Sequence, residues 1–107
     1  MDRLDFNDFY RYGDFLEDIA YLSLSLEAYG LMIHSQFLLD EAKKLEGFDL
    51  KAIELYKKLF GLVRYDYWHS DYLRTKNEDS QDLAFKYLIK AGFSDKQIKL
   101  ISKQSAN

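Results

Sequence analysis

Apolar side chains along this chain recur at steps of three and four over long stretches, the spacing that puts them on one face of an α-helix. Between Leu50 and Arg74 they fall at Ile53, Tyr56, Phe60, Val63 and Tyr67, with a second stripe, Leu55, Leu59 and Leu62, beside them. That apolar arc is wide enough to face two neighbours, so this stretch is expected to be the central helix. Its second half changes character, because Arg64, Tyr65, Asp66, Tyr67, Trp68, His69 and Tyr72 mix rings with charge. From Asp14 to Leu45 a second helical pattern runs through Phe15, Ile19, Leu22, Leu26, Tyr29 and Ile33, with Gln36, Asp40 and Lys44 as the outer face. Unbroken, that helix is about 48 Å long. A compact domain of this length is only about 35 Å across. Gly30 is therefore expected to break or bend it.

Punctuation divides the rest. Met1 to Gly13 predicts a short aromatic and acidic helix capped by Asp5 or Asn7 and ended by Gly13, with Asp14 capping the next. Gly47 is expected to stop one helix and Asp49 to cap another. Glu54 and Lys58 stand in the favourable order for an i, i+4 pair. Residues 75–80 are polar and read as a loop, with Asp79 or Ser80 as cap of a helix reaching Lys90. Gly92 closes that helix, and Ser94 with Gln97 forms a capping box for the last one. In that last helix Ile98, Leu100 and Ile101 point inward, and Lys103 to Asn107 fray. The expected fold is all-α: a small helical bundle of four to five helices with a long antiparallel helix pair, 14–45 against 50–74, in a single helical domain spanning 1–107.

Composition narrows the function classes. A hydrophobic content of 48% excludes general disorder. There is no cysteine, so neither a disulfide framework nor a thiolate metal site exists. No apolar run approaches the roughly 20 residues that span a bilayer, and the acidic start, MDRLDFNDF, lacks the plan of a signal peptide. A cytoplasmic protein without a membrane partner is expected. His34 and His69 are far apart and Glu41 is not spaced with His34 as a ligand, so no metal is expected. No glycine-rich phosphate loop occurs, so no cofactor is expected either. The net charge of −3 conceals an asymmetry. Residues 1–29 hold seven acids against two arginines, a net −5, whereas 82–107 hold five lysines against two acids, a net +3. Such a split steers a charged partner, or makes two copies attract head to tail, leaving a homodimer open.

Three patterns bear on function. Rings make up 17% of the chain, more than a core this small needs, and many sit among acidic residues. Tyr and Trp supply large contact area at low entropic cost and anchor interfaces. Asp8, Tyr10, Asp14 and Glu17 on one side, and Tyr65, Trp68 and Tyr72 on the other, are the expected partner-binding residues. The main expectation is a non-enzymatic protein-binding module that inhibits or modulates a basic partner, in the manner of immunity proteins, antitoxins and phage-encoded inhibitors.

Second, Arg64 and His69 enclose four residues on a helix, which resembles the signature of the HEPN family of small helical ribonucleases. The resemblance implies a homodimer that cleaves RNA without metal, with Arg64 binding phosphate and His69 acting at the ribose hydroxyl. Tyr65 follows the arginine where a polar residue is common in that family, and Asp71 stands where its toxins often place a tyrosine. Arg64 paired with Asp66 or Asp71, and His69 hydrogen-bonded to Asp66 or Tyr65, are the alternatives.

Third, 82–104 reads as two short helices about Gly92, superficially a DNA-binding helix-turn-helix regulator. Gln97 and Gln104 are its only candidates for base edges, and nucleic acid is not expected as a direct ligand.

Overall fold

The computed structural model describes residues 14–105. Among them it holds five α-helices and no strand: α1 Asp14–Ala28, α2 Met32–Ala42, α3 Leu50–Thr75, α4 Glu78–Ala91 and α5 Asp95–Ser105. The all-α helical bundle is as expected. The short helix expected within 1–13 lies outside the described residues. Among the described residues no helix is long and apolar enough to cross a membrane.

Local sequence chemistry explains the boundaries. Gly30 takes φ +83°, a left-handed conformation that only glycine adopts without steric cost. Its N–H donates to the Glu27 carbonyl at 3.0 Å and the Leu31 N–H donates to Leu26 at 2.8 Å, the double bond that closes a helix end. The long first pattern therefore divides into α1 and α2 at the glycine expected to break it. Gly92, at φ +101°, ends α4 through the same pair of bonds, from Gly92 to Ile89 and from Phe93 to Leu88. Asp49 accepts from the Ala52 N–H at 3.2 Å and caps α3. The capping box before α5 is complete, since Ser94 N–H donates to Gln97 Oε1 at 2.9 Å and Gln97 N–H donates to Ser94 Oγ at 3.2 Å.

Three boundary expectations need correcting. α2 ends at Ala42, short of Leu45 and without Gly47 as its stop. α3 reaches Thr75 and α4 starts at Glu78, so the expected 75–80 loop narrows to Lys76 and Asn77. The cap of α4 is also a different residue. Neither Asp79 nor Ser80 caps α4; Asn77 does, accepting from the Asp79 N–H at 3.0 Å. Ser80 is buried and donates to Asp71 Oδ2 at 2.6 Å, so its hydroxyl is committed elsewhere. The last helix runs through Ser105, and residues 106–107 lie outside the described residues.

The helices group into two compact units, Met1–Lys57 and Lys58–Asn107, and α3 runs unbroken through the border. In the first unit α1 packs on α2 through small side chains. Ala20, Ser23, Ala28, Ser35 and Ala42 are all buried, with Ile19, Leu24 and Ile53 as the larger apolar fillers. The buried face of α1 is thus 19, 20, 23, 24, 27 and 28. Leu22, Tyr29 and Ile33, expected inside, are exposed instead. Leu22 lies about 200° round the helix from Ala20, and the Gly30 turn resets the helical phase before Ile33.

In the second unit α3 pairs antiparallel with α4: Gly61 lies against Tyr87 and Ala91, Tyr65 against Phe85, and His69 against Gln81. Tyr65, Ala84 and Leu88 form its sealed centre, and Trp68, Phe85, Phe93, Ile98 and Ile101 pack on it half-buried. Leu100, expected inward, is exposed. So are Val63, Tyr67 and the stripe of Leu55, Leu59 and Leu62, and the expectation that both sides of the α3 arc are covered is corrected. Lys58 lies with its ammonium 5.9 Å from the Phe93 ring, and no ion pair joins it to Glu54 among the described residues.

Candidate interaction faces

The ring-rich half of α3 turns inward at its centre. Tyr65 is only 3% exposed, which corrects its expected place on an outer docking face. The reason is the partner helix, which presents the small Ala84 where a large ring can enter. Trp68 and Tyr72 remain half-buried, Trp68 edge-on to the exposed Tyr67 at 5.0 Å and Tyr72 beneath the Lys76 ammonium at 5.9 Å. Lys76 itself takes a left-handed φ of +61° at the end of α3, a role more usual for glycine.

Among the described residues, Tyr65 Oη, Trp68 Nε1 and His69 Nε2 are buried near this centre without a hydrogen-bond partner. A buried hydroxyl without a partner keeps its desolvation cost and gains nothing for it. Tyr65→Phe is therefore expected to leave stability unchanged or to raise it by about 1 kcal/mol, read as the urea midpoint at constant slope. A clear fall would show that the hydroxyl is held.

His69 stacks on Tyr65 with ring centroids 5.2 Å apart and planes 9° off parallel, and its Nδ1 lies 3.1 Å from Gln81 Oε1. Its polar partner is thus on α4, not Asp66 or Tyr65 Oη. Arg64 places its guanidinium over the rings of Tyr67 and Tyr87, at 5.5 and 6.0 Å. Asp71 accepts from Arg74 and from Ser80, so it is occupied without Arg64. Arg64 and His69 are both half-buried and each is engaged with α4.

In the α4–α5 hairpin Gln97 spends its side-chain oxygen on the capping box. Lys96, Lys99 and Gln104 are exposed on α5. Among the described residues no group of three His, Asp or Glu side chains is placed to hold a metal ion.

Asp8 and Tyr10 lie outside the described residues. Asp14 is the first residue of α1, and Glu17 is half-buried one turn later. A face that was not expected stands at the α1–α2 turn. Tyr29, Leu31, Met32, Ile33 and Phe37 are all exposed, Ile33 at 83%. His34, Gln36, Asp40 and Glu41 rim it, with Gln36 donating to Asp40 at 2.8 Å. Tyr29, Ile33 and Phe37 repeat every four residues, a pattern that reads as core in sequence because periodicity does not say which side is covered.

No protein-family model matches the chain, no curated protein matches it, and no solved structure matches it.

Proposed function

We propose that this protein is a cytoplasmic, non-enzymatic protein-binding module that inhibits or modulates a basic partner protein. The observation that supports this reading best is the exposed cluster of Tyr29, Met32, Ile33 and Phe37. Exposed large apolar side chains close together in sequence are a mark of a docking site, since a chain gains by burying them. The acidic excess of residues 1–29 supplies the charge that attracts a basic partner and speeds encounter. Asp8, Tyr10, Asp14 and Glu17 belong to that acidic region of the sequence and are part of the proposed binding set. Trp68 and Tyr72 keep a half-exposed edge in the second unit, whereas Tyr65 is buried and offers no contact surface.

The test is affinity capture followed by reconstitution with the purified captured protein. Ile33→Asp and Phe37→Asp are each expected to weaken binding at least about tenfold without changing the circular dichroism spectrum. Added salt is expected to slow association. A partner that binds both variants as tightly as the parent, or an acidic partner, defeats the proposal. Degradation of RNA by the purified chain, lost in His69→Ala with the fold intact, defeats it in favour of the ribonuclease alternative.

A further inference from the structure

The face of α3 opposite its packed side has a composition that matches a second copy of itself. At about 100° per residue, Lys51, Leu55, Leu59, Leu62 and Asp66 fall within an arc of about 80° along about 22 Å of helix. All five are exposed, the leucines at 68%, 55% and 39% in chain order. The stripe is therefore apolar along its length, with a cation at its N-terminal end and an anion at its C-terminal end. Neither Lys51 nor Asp66 is ion-paired among the described residues. Lys58, the other cation beside the stripe, leans away onto Phe93.

We propose that this face is the interface of a two-fold symmetric dimer in which α3 of one copy lies antiparallel to α3 of the other. Antiparallel alignment about an axis between residues 58 and 59, beside Leu59, sets Leu55 against Leu62 of the second copy and Leu62 against its Leu55. The same register brings Lys51 to Asp66 of the second copy, and the symmetry repeats that pair at the other end. Parallel alignment would set Lys51 on Lys51 and Asp66 on Asp66, which like charges oppose. Charge order along one helix thus selects both the occupant and its direction. This interface lies on a different helix from the α2 face, so either can fail alone.

Sedimentation equilibrium of the full chain tests this. A stripe of this length places the dimer at the weak end of specific interfaces, with a dissociation constant on the order of micromolar to tens of micromolar. Leu59→Glu places a charge from each copy beside the axis, within the apolar stripe, and is expected to raise that constant at least about tenfold. Lys51→Glu and Asp66→Lys leave the apolar stripe intact and each is expected to raise it about three- to tenfold. The double variant Lys51→Glu with Asp66→Lys is expected to return it to the parent value, because the pairs re-form with their signs exchanged. A chain that stays monomeric to about 200 µM overturns the proposal. So does a dimer indifferent to Leu59→Glu, or one that the double exchange fails to restore.

Discussion

Gly61→Leu is expected to cost about 3 kcal/mol of stability or more, although glycine is a poor residue for the middle of a helix. A Cβ built at Gly61 would stand 2.5 Å from the Ala91 Cβ and 3.2 Å from the Tyr87 carbonyl oxygen. Neither neighbour is the tip of a flexible side chain, so α3 and α4 must separate to admit even a methyl group. Gly61→Ala sets two effects against each other. The helix gains about 1 kcal/mol by losing a glycine, and the closed interface loses about 1–3 kcal/mol to overpacking. Overpacking is expected to win, with a smaller loss than for leucine. Ala91→Gly in the Gly61→Ala background removes the nearer clash, so the double variant should be more stable than the sum of its singles implies. Urea unfolding at constant slope measures each term. A more stable Gly61→Ala would mean that the two helices are not in close contact there.

How much of this was legible beforehand depends on the range of the interaction. Caps and stops are local, so Gly30, Asp49, Gly92 and the Ser94–Gln97 box could be read directly from a few consecutive residues. Asn77 does not stand out as the cap because Asp79 and Ser80, two and three residues on, are residue types that cap equally well. Burial is not local. The stripe of Leu55, Leu59 and Leu62 and the stripe containing Tyr65 are both plausible core faces, and the choice falls to whichever neighbour arrives. Ala84 and Ala91 make α4 a surface that accepts Tyr65 and meets Gly61. A glycine inside an otherwise unbroken helical pattern was the available signal, because its propensity cost asks for a packing reason. The exposed cluster at Ile33 and Phe37 was hidden by the same ambiguity, since its spacing is that of a core.

Lys57→Met is the second large effect, and it arises from a polar group in the first unit. Glu27, near the end of α1, is buried, and its carboxylate has two partners from different helices. Lys57 Nζ donates to Oε1 at 2.9 Å and Ser35 Oγ donates to Oε2 at 2.5 Å. The lysine and glutamate side chains are only 15% and 10% exposed, so water screens little of their attraction. Removing the lysine leaves a buried carboxylate with one neutral partner, and the expected loss is about 3 kcal/mol. For a chain of this size that lowers the melting temperature by roughly 10 °C or more. Ser35→Ala, which deletes a hydrogen bond to a charged acceptor, is expected to cost about 1.5 kcal/mol. Glu27→Leu combined with Lys57→Met should cost less than Lys57→Met alone, because no charge is then stranded and apolar side chains of similar size fill the space. That ordering separates a buried pair from an exposed one. An exposed pair would give singles of under about 1 kcal/mol and a double no better than either. The network also explains the small residues around it: Ser23, Ala28 and Ser35 let α1 and α2 approach closely enough for one carboxylate to join both helices to the start of α3.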